Sequence, residues 1–183
     1  MNDLELEFVW RPSAAMGNQT QIFTHVLYNM YSSPQGFDFD IITDYPFCDW
    51  INDESTRDYN APNEAENLIP LLEERISHYA TDEILLLFGG DFEFYNAYNN
   101  YKQMDAMIEY MNKHYSDKYI FKYSTPSDYV AAIAKHNVPW STKYDDMFPY
   151  SDSPDSYWTG FFSSRANDKE YIRRASHNFH AST

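Results

Sequence analysis

The sequence predicts an α/β fold, a parallel sheet with flanking helices, and three observations point to it. Residues Ile84, Leu85, Leu86, Leu87 and Phe88 run without polar alternation, the pattern of a strand covered on both faces. Met104, Met107, Ile108 and Met111 stand at i, i+3, i+4 and i+7, the spacing of one helix face. Tyr119-Ile120-Phe121-Lys122-Tyr123 then reads as a second strand, and Thr125-Pro126-Ser127-Asp128 opens another helix. Strand, helix, strand, helix is the order of βα units joined by right-handed crossovers.

Each element has a local cause. Leu4-Glu5-Leu6-Glu7-Phe8-Val9-Trp10 alternates apolar and acidic residues and closes at Arg11-Pro12, as a half-buried strand would. Ile22, Phe23, Val26 and Leu27 fall at helical spacing, and a loop with Pro34 and Gly36 follows over Tyr28 to Phe37. Leu68, Leu72 and Ile76 line one face of a helix in which Pro70 either makes a kink or marks a later start. The strand over residues 84–90 ends at Gly89-Gly90, where backbone freedom allows a sharp turn that presents Asp91 at the rim of the sheet. Loops at this end of parallel strands carry the chemistry of such folds, although an Asp after two glycines equally suits a plain turn cap.

A helix is expected from about Tyr98 to Tyr115, its methionine stripe serving as core. In the next helix Thr125 caps, Pro126 fits the first turn and Asp128 favours the dipole. From Val138 to Ser164 the chain is loop-like but rich in aromatic and acidic residues, and long loops of that kind are more often functional than idle. A short basic helix starts near Asn167 and carries Ile172 and Phe179, which need a partner to bury them. There is no internal repeat or low-complexity linker.

Composition narrows the classes of function. The 183 residues are 43% hydrophobic, enough for one ordinary domain, and 19% aromatic, with 17 Tyr, 13 Phe and 4 Trp. Aromatic faces stack on the C–H faces of sugars while hydroxyls and carboxylates bond sugar hydroxyls, so the mixture suits carbohydrate as well as a plain core. The net charge of −15 and the lack of a basic stripe argue against nucleic acid. No apolar stretch approaches a membrane span, and Met1-Asn2-Asp3-Leu4-Glu5 carries no targeting signal. Cys48, the single cysteine, excludes an internal disulfide. Asn18-Gln19-Thr20 is a glycosylation acceptor sequence, a match short enough to arise by chance.

Several chemistries fail on spacing. Cys48 lies in Tyr45-Pro46-Phe47-Cys48 with no His or positive charge nearby to make a thiolate. His25, His78, His114, His136, His177 and His180 form no His-Glu-x-x-His or His-x-His pair; His177 and His180 could share a helix face, for which a solvated face is the simpler reading. Asp145, Asp146, Asp152 and Asp155 match no calcium-loop pattern, because Pro154 intervenes and no loop glycine is present. Carboxylate chemistry among aromatics remains, and glycoside hydrolysis is its best-known form: one acid protonates the leaving oxygen while a second carboxylate attacks or activates water.

The chain resembles the catalytic domain of family 38 α-mannosidases, closest to the lysosomal, acidic type, from about Leu4 to Ser176. The blocks that carry the resemblance are Leu6-Glu7-Phe8-Val9-Trp10-Arg11, Met30-Tyr31-Ser32-Ser33-Pro34, Gly89-Gly90-Asp91-Phe92, Tyr123-Ser124-Thr125-Pro126, Asp145-Asp146-Met147-Phe148-Pro149-Tyr150 and Tyr157-Trp158-Thr159-Gly160-Phe161-Phe162-Ser163-Ser164-Arg165. The resemblance implies part of a seven-stranded β/α barrel over residues 1–165, with residues 166–183 starting the first helix of a helical middle domain. It implies a retaining, zinc-dependent hydrolase of terminal α-linked mannose on oligosaccharides and glycoproteins, in a lysosome or vacuole. By position in the blocks, Asp91 resembles the general acid/base, Arg11 the arginine near the nucleophile, Tyr31 the active-site tyrosine, Trp158 a pocket-lining aromatic and Asp152 a polar residue on the substrate side.

Departures from the family pattern are equally specific. The family takes its zinc ligands from a His-x-Asp block, the nucleophilic Asp and a His-His-Asp block, and none of these blocks is in this sequence. The expectation is an internal piece of a larger enzyme that pairs with the rest of the mannosidase polypeptide. Retention needs two carboxylates ~5 Å apart, so the chain alone is expected to be inactive, with Zn2+ belonging to the complete enzyme. The competing reading is a catalytically silent carbohydrate-binding module or scaffold, which would bind mannose unaided.

Overall fold

A computed structural model describes residues 6–40, 49–147 and 149–182. Leu4 of the first strand, Cys48 and Phe148 lie outside the described residues. The architecture is α/β with small sheets and helices, in two units, 1–144 and 145–183.

In the first unit β1 (Glu7–Trp10) is central to a three-stranded sheet of order β2-β1-β4. It pairs antiparallel with β2 (Ile22–His25), from Glu7 opposite His25 to Trp10 opposite Ile22, and parallel with the short β4 (Thr142–Lys143). β2 corrects the helical reading of residues 22–27. The apolar positions fit a helix face, but β1 offers a complete ladder to these β-branched and aromatic residues, and cross-strand pairing outweighs local spacing. Another strand, β3 (Tyr28–Tyr31), occupies the start of the expected loop. Beneath the sheet, the buried Glu7 carboxylate accepts a hydrogen bond from Tyr129 Oη at 2.8 Å and lies 2.9 Å from His25 Nδ1. Burial, then the bond to Glu7, raises the Tyr129 phenol.

Two helices make the core. α1 (Ala61–Ile76) starts well before the apolar face read from sequence and keeps Pro70 inside it. Pro62 sits in its first turn, where a missing N–H costs nothing. Ala61, Ala65, Leu68 and Leu72 are buried along one side. α2 (Ala97–His114) matches the expected helix, and its Met104, Met107 and Met111 are buried against the same cluster, with Phe37, Phe39 and Trp50. The methionine stripe is core. α3 (Pro126–Ile133) has the expected cap in full: Thr125 Oγ1 accepts from Asp128 N, and Asp128 Oδ2 accepts from Thr125 N.

The two strands expected at 84–90 and 119–123 have no regular secondary structure and no ladder among the described residues. A strand is defined by its neighbours' N–H and C=O groups, which an apolar run does not reveal. The covering of both faces is nevertheless visible. Ile84, Leu86 and Phe88 pack against the helical core, while Leu85 and Leu87 share a small cavity with Tyr28 and Met30 of β3.

In the second unit β5 (Ser151–Ser153) and β6 (Ser156–Tyr157) form a small antiparallel hairpin turning at Asp155, whose φ is 62°. α4 (Gly160–Ser163) is a single turn, and α5 (Ala166–Ser182) is the helix expected near Asn167. None of the residues of α5 is buried, and Ile172 and Phe179 are exposed.

Candidate active site

The turn that ends the apolar run is built by its glycines. Gly89 has φ +128°, and a Cβ there would meet the Phe94 ring at 3.1 Å. A Cβ on Gly90 would lie 2.4 Å from Glu93 Oε1, because the Glu93 side chain folds back over the turn. Phe92 and Phe94 also take left-handed backbone angles, φ 64° and 61°, conformations that cost on the order of 1–3 kcal/mol and persist only when their surroundings hold them.

Asp91 projects from this turn into solvent. Tyr31 Oη donates to Asp91 Oδ1 at 3.0 Å, across 60 residues of sequence. Asp91 Oδ2 has no hydrogen-bond partner among the described residues, so one oxygen is held and the other is open. Phe92 and Tyr95, close to Asp91 in the chain, are 93% and 87% exposed.

The remaining candidates fall in two groups. Arg11, at the end of β1, donates from Nε to Gln21 Oε1 at 3.0 Å and from Nη1 to Tyr144 Oη at 3.2 Å. Among the described residues it forms no bond to Tyr31 or Asp91. Asp152 and Trp158 come together in the second unit. Hydrogen bonds from Ser156 first, then from the Trp158 side chain, hold the Asp152 carboxyl below its ordinary value. Trp158 N donates to Tyr150 O at 2.9 Å and the two rings lie 5.6 Å apart, with Trp158 half exposed.

Glu93 is the group that sequence reasoning missed. Burial, followed by the nearby Asp38 and Asp40 carboxylates, pushes it from 4.5 to about 7. Its proximity to Asp91 in sequence was visible; its inward orientation onto two buried carboxylates was not. Among the described residues no group of three or more His, Cys, Asp or Glu side chains could hold a metal ion. The described residues therefore offer no set of ligands for zinc.

Residues 1–153 match the family described as glycosyl hydrolases family 38, N-terminal domain. The chain belongs to that family. Among its relatives, lysosomal alpha-mannosidase of Dictyostelium discoideum is 40% identical over 176 residues, 95% of this chain and 17% of that protein. Lysosomal alpha-mannosidase of Homo sapiens is 35% identical over 184 residues, 98% of this chain and 18% of that protein. An alpha-mannosidase of Canavalia ensiformis is 34% identical over 160 residues, 87% and 16%. This family 38 chain thus spans less than a fifth of the length of these relatives. Its Gly-Gly-Asp-Phe turn and Tyr31 lie within the matched region.

Proposed function

We propose that this chain supplies the proton-donor side of a retaining α-mannosidase acting on terminal α-linked mannose of oligosaccharides and glycoproteins. The observation that carries the reading is the Tyr31–Asp91 pair: an exposed carboxyl at the end of an apolar run, one oxygen fixed by a phenol at 3.0 Å and the other without a hydrogen bond among the described residues. A proton on Oδ2 of Asp91 passes to the glycosidic oxygen as the bond to C1 breaks. A second carboxylate attacks C1, and in the following half-reaction Asp91 takes a proton from water, which displaces the enzyme carboxylate. Tyr31 orients the donor. Phe92 and Tyr95 offer faces on which sugar C–H groups stack. Arg11, Asp152 and Trp158 are assigned to substrate binding.

The nucleophile and the zinc ligands are assigned to other parts of a longer polypeptide, so the chain alone is inactive. Zinc would bind sugar hydroxyls in the complete enzyme. The lengths of the relatives support this division. Residues 1–165 are assigned to part of a seven-stranded β/α barrel, in which the segments at 84–90 and 119–123 gain strand partners. Residues 166–183 are assigned to the start of a helical domain that covers Ile172 and Phe179. Lysosomal or vacuolar residence is inferred from similarity to relatives named lysosomal alpha-mannosidase.

The test is Asp91→Asn in the intact polypeptide that carries this chain. A positioned general acid contributes about 10²–10⁴-fold, so turnover of an unactivated α-mannoside should fall by that factor with folding unchanged. Unchanged turnover removes Asp91 from the role.

A further inference from the structure

The turn that carries Asp91 is held from one side by a single stretch of chain. Tyr31 reaches its carboxyl. Two residues later Ser33 makes a reciprocal pair with Gly89 at the entry to the turn: Gly89 N donates to Ser33 Oγ at 2.8 Å, and Ser33 N donates to Gly89 O at 3.0 Å. At the exit, Phe94 N donates to Asp40 Oδ2 at 2.7 Å. Asp40 is only 2% exposed, and its own N–H donates to Asp38 Oδ1 at 2.9 Å. Asn100 Nδ2 of α2 approaches the same Oδ2 at 3.5 Å, so the carboxylate joins the turn to the first turns of the helix.

These bonds sit where the turn needs them. Gly89 and Phe94 bound the stretch in which Phe92 and Phe94 adopt left-handed angles, and nothing in a free peptide would keep two bulky residues there. A buried carboxylate is itself expensive unless bonded. Asp40 has a specific task in this location, which an apolar residue could not perform.

We propose that Asp40 and Ser33 are positioning residues for the proton donor, fixing the two ends of the turn so that Asp91 meets the glycosidic oxygen. The proposal rests on the assignment of Asp91 as the acid, made above. Neither residue touches the sugar. Loss of either lets the turn relax and misplaces the donor, and a misplacement of about 1 Å can cost on the order of 10²-fold.

A fault in proton donation has a signature that general destabilisation lacks. A leaving group that departs readily as an anion needs no proton, whereas a poor one does. In the intact polypeptide carrying this chain, kcat/KM is measured on 2,4-dinitrophenyl and phenyl α-mannosides for Asp40→Ala, Asp40→Asn, Ser33→Ala and Asp91→Asn, with circular dichroism to confirm folding. Asp40→Ala should lose on the order of 10²-fold on the phenyl substrate and stay within about threefold of wild type on the dinitrophenyl one. Asp40→Asn, whose amide oxygen still accepts from Phe94 N, should recover most of the loss. Ser33→Ala should show the same split and decides the matter if Asp40→Ala does not fold. Equal losses on both substrates in folded variants, or no loss, would overturn the proposal. If Asp91→Asn shows the split and the Asp40 and Ser33 variants do not, only the positioning role falls. If Asp91→Asn lacks it, the acid assignment falls too.

Discussion

Replacing Glu93 by Gln should change the pH dependence of stability in a definite direction. Glu93 is partly buried beside Asp38 and Asp40, and desolvation first, then repulsion from those carboxylates, raises it from 4.5 to about 7. Because the carboxyl binds its proton more tightly folded than unfolded, its favourable contribution is complete below about 4.5 and is lost as pH climbs through about 7. At about 1.4 kcal/mol per unit of pKa difference, the span from 4.5 to about 7 sets an upper bound of about 3 kcal/mol, and solvent screening of this partly buried group lowers the expected loss to on the order of 1–2 kcal/mol. Glu93→Gln mimics the protonated form at every pH. Urea unfolding of the 183-residue chain and of Glu93→Gln, followed by the fluorescence of buried Trp50, should give similar stabilities at pH 4.5. The variant should be the more stable by on the order of 1–2 kcal/mol at pH 8. Parallel curves for the two proteins across this range would refute the reasoning.

Two further outcomes test the framework that holds the turn. Met111→Ala removes a fully buried side chain from the contact between α1 and α2 and should cost about 2–5 kcal/mol in urea unfolding. Thr125→Ala removes the hydroxyl that accepts from Asp128 N while leaving the bond from residue 125 N to Asp128 Oδ2, and should cost about 1 kcal/mol, readable in the same experiment. A cost below about 0.3 kcal/mol would mean that the bonds around Asp128 carry no net stability.

Elements driven by local chemistry were legible in the sequence. The methionine spacing gave α2 because its period matches one face of a helix, and Thr125-Pro126 marked α3 because capping needs only neighbours. The turn at Asp91 was legible because only glycine tolerates its φ of +128° at Gly89. Pairing was not legible. Residues 22–25 form β2 through a ladder with β1, and residues 84–90 have none among the described residues. The clamps on the turn were hidden for the same reason: Ser33 and Gly89 are 56 residues apart, and Asp40 and Phe94 are 54. Spacing in one segment carries no information about which distant side chain comes to meet it. The sequence blocks point to Asp91 and Tyr31 separately, and only the structure shows the bond between them.

The central claim is that Asp91 and Tyr31 form the donor half of a site completed by other parts of a longer polypeptide. It is tested most directly by hydrolysis of an aryl α-mannoside, with Zn2+ present, by the 183-residue chain alone and by the intact polypeptide with and without Asp91→Asn. The prediction is no turnover from the chain alone, turnover from the intact polypeptide, and its loss with Asp91→Asn. Turnover by the isolated chain, or turnover that survives Asp91→Asn, would contradict it.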